Sequence, residues 1–336
     1  MSSTVRAGAA ASIAQLLAGA TARRPYKTVD SLSGNRMEQV EFGDSNFVLK
    51  LLNAEDDWLM RATGDTGVRQ ATLFGSGVLD SLPDCIDHAV CGAAADTNSK
   101  GHAVTALLMR DVSRNLIPPG NGVVPLGTHR RLLDHMAAMH ASFWGWTDRV
   151  GLLPLARHYT FLGPDMAHQE VQRRDAAAVP LAVAEGWRRL LAVSPIAGRL
   201  AANLASNPEP LVAALRVTPH TLVHGDWKFG NLGEHDDGRT ILLDWDRTGA
   251  APATLDLAWY LAVNCERLPE SKDASIAAYA TALRQYGIDT AEWWDRQLRL
   301  ALLGAFVQLG WSKAAGDSGE FGWWEARAIE GARDLA

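Results

Sequence analysis

LVHGDWKFGN, residues 222–231, packs a His, an Asp, a Lys and an Asn into positions 224 to 231. An ordinary core segment does not carry so many polar groups so close together. The run TLV (221–223) is apolar and strand-like, so Asp226 sits at a strand end facing a cleft. Asn231 lies five positions on, and Asp244 follows the apolar run ILL (241–243) at the end of a second strand. With HDDGR (235–239) as the turn, HTLVHGD (220–226) and RTILLDWD (239–246) read as one β-hairpin that brings these ends together.

Carboxyl-type groups converging on one cleft repel each other unless a cation holds them. An Asn and an Asp are hard oxygen donors suited to Mg²⁺, which takes one or two carboxylates plus phosphates and water. A separate Asp can accept the proton of an attacking hydroxyl. Together these groups describe phosphoryl transfer from Mg-ATP. Lys50, alone inside FVLKLL (47–52), is costly in a half-buried strand unless it meets an anion. Nucleotide phosphates are one such partner; the bland alternative is that it snorkels to the surface.

The rest of the chain sets the frame. Its 336 residues suit two lobes sharing a cleft. With 47% hydrophobic and 21% charged residues and a net charge of -6, it gives no electrostatic reason to expect nucleic acid or an anionic membrane as partner. Cys85, Cys91 and Cys265 form no CxxC pair and no metal spacing, which reads as buried small side chains in a reducing, cytoplasmic setting. The N-terminal MSSTVRAGAAASIAQLLAGATARR imitates a short signal peptide, but its Ala/Gly core lacks a Leu/Val block, and an N-terminal helical extension over 1–24 is expected instead. No segment approaches the ~18 apolar residues of a spanning helix.

Strand patterns fill 27–53, helical spacing follows over 54–82, and HAVCGAAAD (88–96) and GHAVTALLMRDV (101–112) form a hairpin around TNSKG. This small α+β lobe spans 25–111; after the Pro/Gly hinge IPPGNG (117–122) a mainly helical lobe fills 112–336. No repeat or low-complexity tract is present.

HGDWKFGN followed by ILLDWD and DLAWYL resembles the aminoglycoside phosphotransferase and choline kinase-like group of small-molecule kinases, over roughly residues 25 to 335. The resemblance implies an α+β, bilobal protein-kinase-like fold and ATP and Mg²⁺ as cofactors. It implies Asp226 as catalytic base or hydroxyl-orienting group, and Asn231 and Asp244 as metal ligands. His224 braces the loop, and Asp256 ties down its backbone, which suits an otherwise unpaired helix carboxylate. Lys228 is either a cation near the transferred phosphoryl group or a solvated loop lysine. In LLMRDV (107–112), the Arg110 carbonyl and Val112 N–H are expected to hold adenine. His140 reads as a satisfied core histidine.

Two features depart from the family. The phosphate-covering loop, SLSGNRM (31–37), has one glycine; Ser33, Gly34 and Asn35 are its candidate phosphate contacts, with an ordinary turn as the alternative. In VRQATLF (68–74), Gln70 stands where the family has a Glu, so Lys50 leans on nucleotide phosphate or on Glu55, Asp56 or Asp57. The acceptor is a small-molecule hydroxyl on an aminoglycoside, other antibiotic, sugar or amino alcohol. Trp259, Trp293, Trp294, Trp311, Trp323 and Trp324 offer stacking faces or core, and Asp246 and Glu325 are candidate acceptor contacts. The alternative is a non-catalytic nucleotide-binding pseudokinase; a protein kinase is disfavoured because no long activation loop fits after LDWD. A monomer or homodimer is expected.

Overall fold

The structure is a computed structural model that describes residues 8–26, 33–66 and 69–335. The strand pattern over 27–32 and the first two residues of the 31–37 loop lie outside the described residues. The chain forms two compact units: Met1–Pro119 with Gly230–Asp246, and Gly120–Phe229 with Arg247–Ala336.

The first unit is built on a six-stranded sheet in the order β1-β6-β7-β4-β3-β2. Its strands are β1 (Gly8–Ala10), β2 (Ala22–Tyr26), β3 (Arg36–Phe42), β4 (Ser45–Leu52), β6 (Val90–Thr97) and β7 (Ala103–Arg110). All pairings are antiparallel except that of β1 with β6. The central strand β4 lies between β3 and β7, with Lys50 opposite Met37 on one side and Leu107 on the other. Strand period two separates its side chains. Phe47 and Leu49 join Val40, Ala106 and Leu108 on one face, while Leu52 joins Met60, Ala93 and Leu107 on the other. Lys50 shares the second face, which is covered by α2 (Trp58–Thr63) and α3 (Arg69–Gly75).

The expected N-terminal helical extension is corrected. Among the described residues only α1 (Ile13–Leu16) is helical there, and β1 and β2 add strands at the two edges of the sheet. Ser12 caps α1 by accepting the Gln15 N–H at 3.1 Å, and the chain leaves the helix at once, with Gly19 left-handed at φ 89°. What holds this segment is the packing of Ile13, Leu16 and Leu17 on the Val40/Leu49 cluster.

The expected single hairpin is corrected too. β8 (Thr221–Val223) pairs with β11 (Gly249–Ala251), a strand not anticipated, inside the second unit. β9 (Leu232–Glu234), likewise missed, pairs with β10 (Thr240–Leu242) around the 235–239 turn, and β10 also runs parallel to β5 (Ile86–Asp87). Residues 230–246, assigned from sequence to the second lobe, therefore belong to the first unit. Backbone bonds fasten them there: Ile117 N–H donates to Leu232 O at 2.9 Å and Thr240 N–H to Cys85 O at 2.8 Å.

The second unit is helical: α4 (Leu126–Ser142), α5 (Leu155–Thr160), α6 (Pro164–Val171), α7 (Ala178–Val193), α8 (Pro195–Ser206), α9 (Glu209–Arg216), α10 (Thr254–Val263), α11 (Lys272–Gln285), α12 (Trp294–Lys313) and α13 (Ser318–Gly331). The largely buried α12 packs against α7, α10 and α13. The three cysteines are free and half-buried rather than buried. Among the described residues no helix is long and apolar enough to cross a membrane.

Gly233 in β9 lies so close to the 115–116 backbone that a Cβ there would stand 2.6 Å from the Asn115 carbonyl oxygen. Gly233→Ala is therefore expected to destabilise the protein by about 1–3 kcal/mol in urea unfolding; an unchanged midpoint would contradict that close approach.

Candidate active site

In the second unit, the loop after β8 is held by one helix. Asp256, in the first turn of α10, is fully buried, and its two carboxylate oxygens accept the backbone N–H groups of His224 at 2.8 Å and Gly225 at 2.7 Å. His140 on α4 completes the set at 3.1 Å and is itself bonded to the Tyr279 hydroxyl at 2.6 Å. Burial alone would raise the Asp256 carboxyl, but these bonds and the neighbouring histidines hold it below the usual carboxylate range. Gly225 is required by geometry: it is left-handed at φ 80°, and a Cβ would meet the Arg247 carbonyl at 2.4 Å. Just past the end of α10, Asn264 accepts the Phe229 N–H at 2.9 Å and donates to the Trp227 carbonyl at 3.3 Å.

The same helix orients the Asp226 side chain. Trp259, one turn after Asp256, donates its indole N–H to Asp226 Oδ1 at 2.9 Å. Lys228 Nζ stands 3.2 Å from Oδ2 and Arg247 Nη1 3.6 Å from Oδ1. Arg247 is only 3% exposed, and its guanidinium lies 3.8 Å from the Trp259 ring centre and 4.6 Å from that of Phe161. Burial favours the neutral form of Asp226, but Lys228, Arg247 and His224 outweigh it and hold its carboxyl at about 2. Asp226 is thus a fixed, buried anion.

In the first unit, Lys50, 5% exposed, pairs with Asp244 Oδ1 at 2.5 Å. Desolvation would lower its pKa, yet the carboxylates of Asp244, Asp246 and Asp57 raise it, so the ammonium stays charged. Asp57 also caps α2, accepting the Leu59 N–H at 2.7 Å and the Met60 N–H at 3.1 Å. Asp244 adopts a left-handed backbone, φ 66°, a state uncommon for residues other than glycine. Asn231 is buried, and its carbonyl accepts the Leu243 N–H at 2.9 Å, so Asn231 and Asp244 sit on bonded backbone segments.

Several expected roles shift. Gln70 donates to Asp244 Oδ1 at 3.1 Å rather than contacting Lys50, so the neutral amide braces the carboxylate that pairs with the lysine. The charge Lys50 lacks from Gln70 comes directly from Asp244. Glu325, on α13, accepts from the Ser194 hydroxyl between α7 and α8. Gly34 is left-handed at φ 100° and abuts the Asp56 backbone, while Asn35 donates to Ser33 Oγ at 2.8 Å. Arg110 and Val112 bracket the end of β7, with the Val112 side chain buried beside Ala89 and Ile241. Trp259 and Trp324 are buried, and Trp323 already has Lys272 at 5.0 Å and Arg327 at 5.2 Å from its ring centre. Sequence reading missed Arg247 and Asn264. Each is a polar residue just outside a recognised run, LDWD or DLAWYL, and only burial reveals it.

Residues 119–294, more than half of the chain, match the model of the phosphotransferase enzyme family. The chain belongs to that family. Among solved structures, the phosphotransferase is similar to a microcompartment-associated aminopropanol kinase: 13% identity over 94% of this chain and 95% of that one, TM-score 0.50. The choline kinase LicA from Streptococcus pneumoniae shows 12% identity over 96% and 95%, TM-score 0.49. A thermostable mutant of an aminoglycoside phosphotransferase, in ternary complex with ADP and hygromycin B, shows 12% identity over 96% of each chain, TM-score 0.45. At such identities the likeness concerns the fold, which is the α+β, protein-kinase-like fold expected from the sequence. No curated protein matches the chain.

Two measurements check this geometry. Asp256→Asn keeps the shape but leaves one loop N–H facing an amide donor, so unfolding should cost about 2 kcal/mol less; an unchanged stability would contradict the three-bond grip. The folded-state pKa of Asp226 lies below the ~3.9 of an unfolded aspartate. Its stabilising contribution is therefore present above that value and lost as pH falls through about 2. Carboxyl NMR should find Asp226 ionised at about pH 4, and a midpoint near an ordinary aspartate would contradict the cationic clamp.

Proposed function

We propose that this family member is an ATP- and Mg²⁺-dependent kinase that moves the γ-phosphoryl group to a hydroxyl of a small molecule. The observation that carries the reading is the Asp226 carboxylate: buried, ionised and fixed in direction by Trp259, Lys228 and Arg247. A binding protein gains nothing from keeping such an anion desolvated.

In this reading Asp226 orients the acceptor hydroxyl for in-line attack and takes its proton late. A carboxylate held at about 2 is a weak base, so its main contribution is direction rather than proton affinity. That suits phosphoryl transfer, whose loose transition state asks little of a base. Lys50 holds the non-transferred phosphates. Without nucleotide its ammonium rests on Asp244; phosphate oxygens offer it a second anionic partner and free a carboxylate oxygen. Asn231 and Asp244 supply one amide and one carboxylate oxygen, a donor set that fits Mg²⁺ completed by phosphates and water. When bound, the ion neutralises charge on the β- and γ-phosphates. Gln70 keeps the Asp244 carboxylate in place without adding a second negative charge. Lys228 is poised to neutralise charge developing on the transferred group.

Binding measurements with and without Mg²⁺ separate these roles. Asp244→Asn should weaken Mg-ATP binding at least tenfold while leaving metal-free ATP binding unchanged or tighter, because Lys50 loses its resident anion. Asp226→Asn should leave both affinities within about threefold. Equal losses with and without metal in Asp244→Asn would remove Asp244 from the metal role.

A further inference from the structure

A second carboxylate in the first unit gathers partners that the proposed reaction does not use. Asp87, in β5, is buried, and both of its oxygens are occupied. Oδ1 accepts from the Arg110 guanidinium at the end of β7 and from the Ala89 N–H at 3.2 Å. Oδ2 is 2.5 Å from His235 Nε2, at the turn that joins β9 to β10.

These partners lie on two parts of the proposed nucleotide site: Arg110 and Ala89 at the 110–112 segment, and His235 on the β9–β10 hairpin. Ala89 is fully buried and left-handed at φ 55°, a backbone state that costs a residue with a Cβ about 1–2 kcal/mol. The Asp87-to-Ala89 bond is the side-chain turn that offsets this cost. The Ala89 carbonyl in turn accepts the Arg110 N–H at 2.9 Å, and its methyl packs with Val112 and Ile241. The conformation of 110–112, the segment assigned to adenine, thus depends on a backbone state that Asp87 maintains. His235 sits on the hairpin whose flanking residues are Asn231 and Asp244. Removing one partner from a buried, bonded carboxylate leaves the others facing a desolvated charge, so the three contacts respond together.

We propose that Asp87 is a positioning residue that couples the adenine-holding segment 110–112 to the metal-bearing hairpin 231–244 through Arg110, Ala89 and His235. The coupling rests on the kinase reading above for its functional meaning, though not for its physical test.

His235 touches neither of the residues assigned to adenine, which makes it the informative variant. Amide hydrogen exchange over 108–112 and metal-free AMP affinity are measured for the wild type, His235→Asn, Asp87→Asn and the double variant. Amides of β2 and β3 serve as the internal reference. His235→Asn is expected to speed exchange at Arg110 and Asp111 at least threefold while the reference is unmoved, and to weaken AMP binding by a similar factor. Asp87→Asn is expected to do at least as much, and the double variant no more than Asp87→Asn alone. Unchanged exchange at 108–112 in His235→Asn, acceleration spread equally over the reference strands, or additive effects in the double variant would each overturn the coupling. Should Asp87→Asn fail to fold, His235→Asn decides by itself. If the wild type binds neither AMP nor Mg-ATP, the kinase reading fails, and exchange alone decides whether the coupling exists.

Discussion

A fully buried carboxylate at the start of α10 accepts two consecutive loop N–H groups and a histidine. Asp256 without these bonds is an uncompensated charge in the helical core, worth several kcal/mol of destabilisation. With them it turns the loop after β8 into a fixed object. Every other feature of the second half of the candidate site follows from that placement. Gly225 takes up the left-handed turn, Trp259 projects from the next turn of the same helix onto Asp226, and Asn264 closes the far end of the loop on Phe229. His140, read from sequence as a core histidine, is one, but its core role is to complete the Asp256 bonding set.

In each unit a buried cation also meets an aspartate at the candidate site, Lys50 with the part-exposed Asp244 in the first and Arg247 with Asp226 in the second. Such pairs contribute little net stability, because desolvation of both charges offsets their attraction. Their use is to keep charges ready. Lys50 remains an ammonium inside a sheet because three carboxylates act on it, and Asp226 remains an anion because Lys228 and Arg247, the latter packed against Phe161 and Trp259, outweigh its burial. Phosphoryl transfer needs charges fixed in advance rather than groups that titrate during turnover.

Much of this was legible in the sequence. The polar cluster at 224–231, the apolar runs before Asp226 and Asp244, and the lone Lys50 in an apolar strand pointed to the α+β fold and to the residues brought together in each unit. What the sequence concealed has physical causes. Three-residue strands such as Leu232–Glu234 and Gly249–Ala251 carry no period to detect, so two short pairings read as one hairpin. An Ala-rich N-terminus has good helix propensity, but Gly19 and the unpaired edges of the sheet decided its conformation. Gln70 looked like a weakened partner for Lys50 because sequence reveals which residue departs from a pattern and not which neighbour it finds instead. Arg247 gave no signal, since an arginine after LDWD is indistinguishable from a surface residue until its burial is known.

The proposed function depends on Asp226 directing a small-molecule hydroxyl at the γ-phosphoryl group of ATP. Its most direct test is to incubate a pooled library of sugars, amino alcohols and hydroxylated antibiotics with ATP, Mg²⁺ and either the wild-type protein or Asp226→Asn, and to follow phosphorylated products by mass spectrometry. At least one compound is expected to gain a single phosphoryl group with the wild type and none at a comparable rate with the variant. The same product formed equally fast by Asp226→Asn, or a wild-type protein that binds no Mg-ATP, would contradict it.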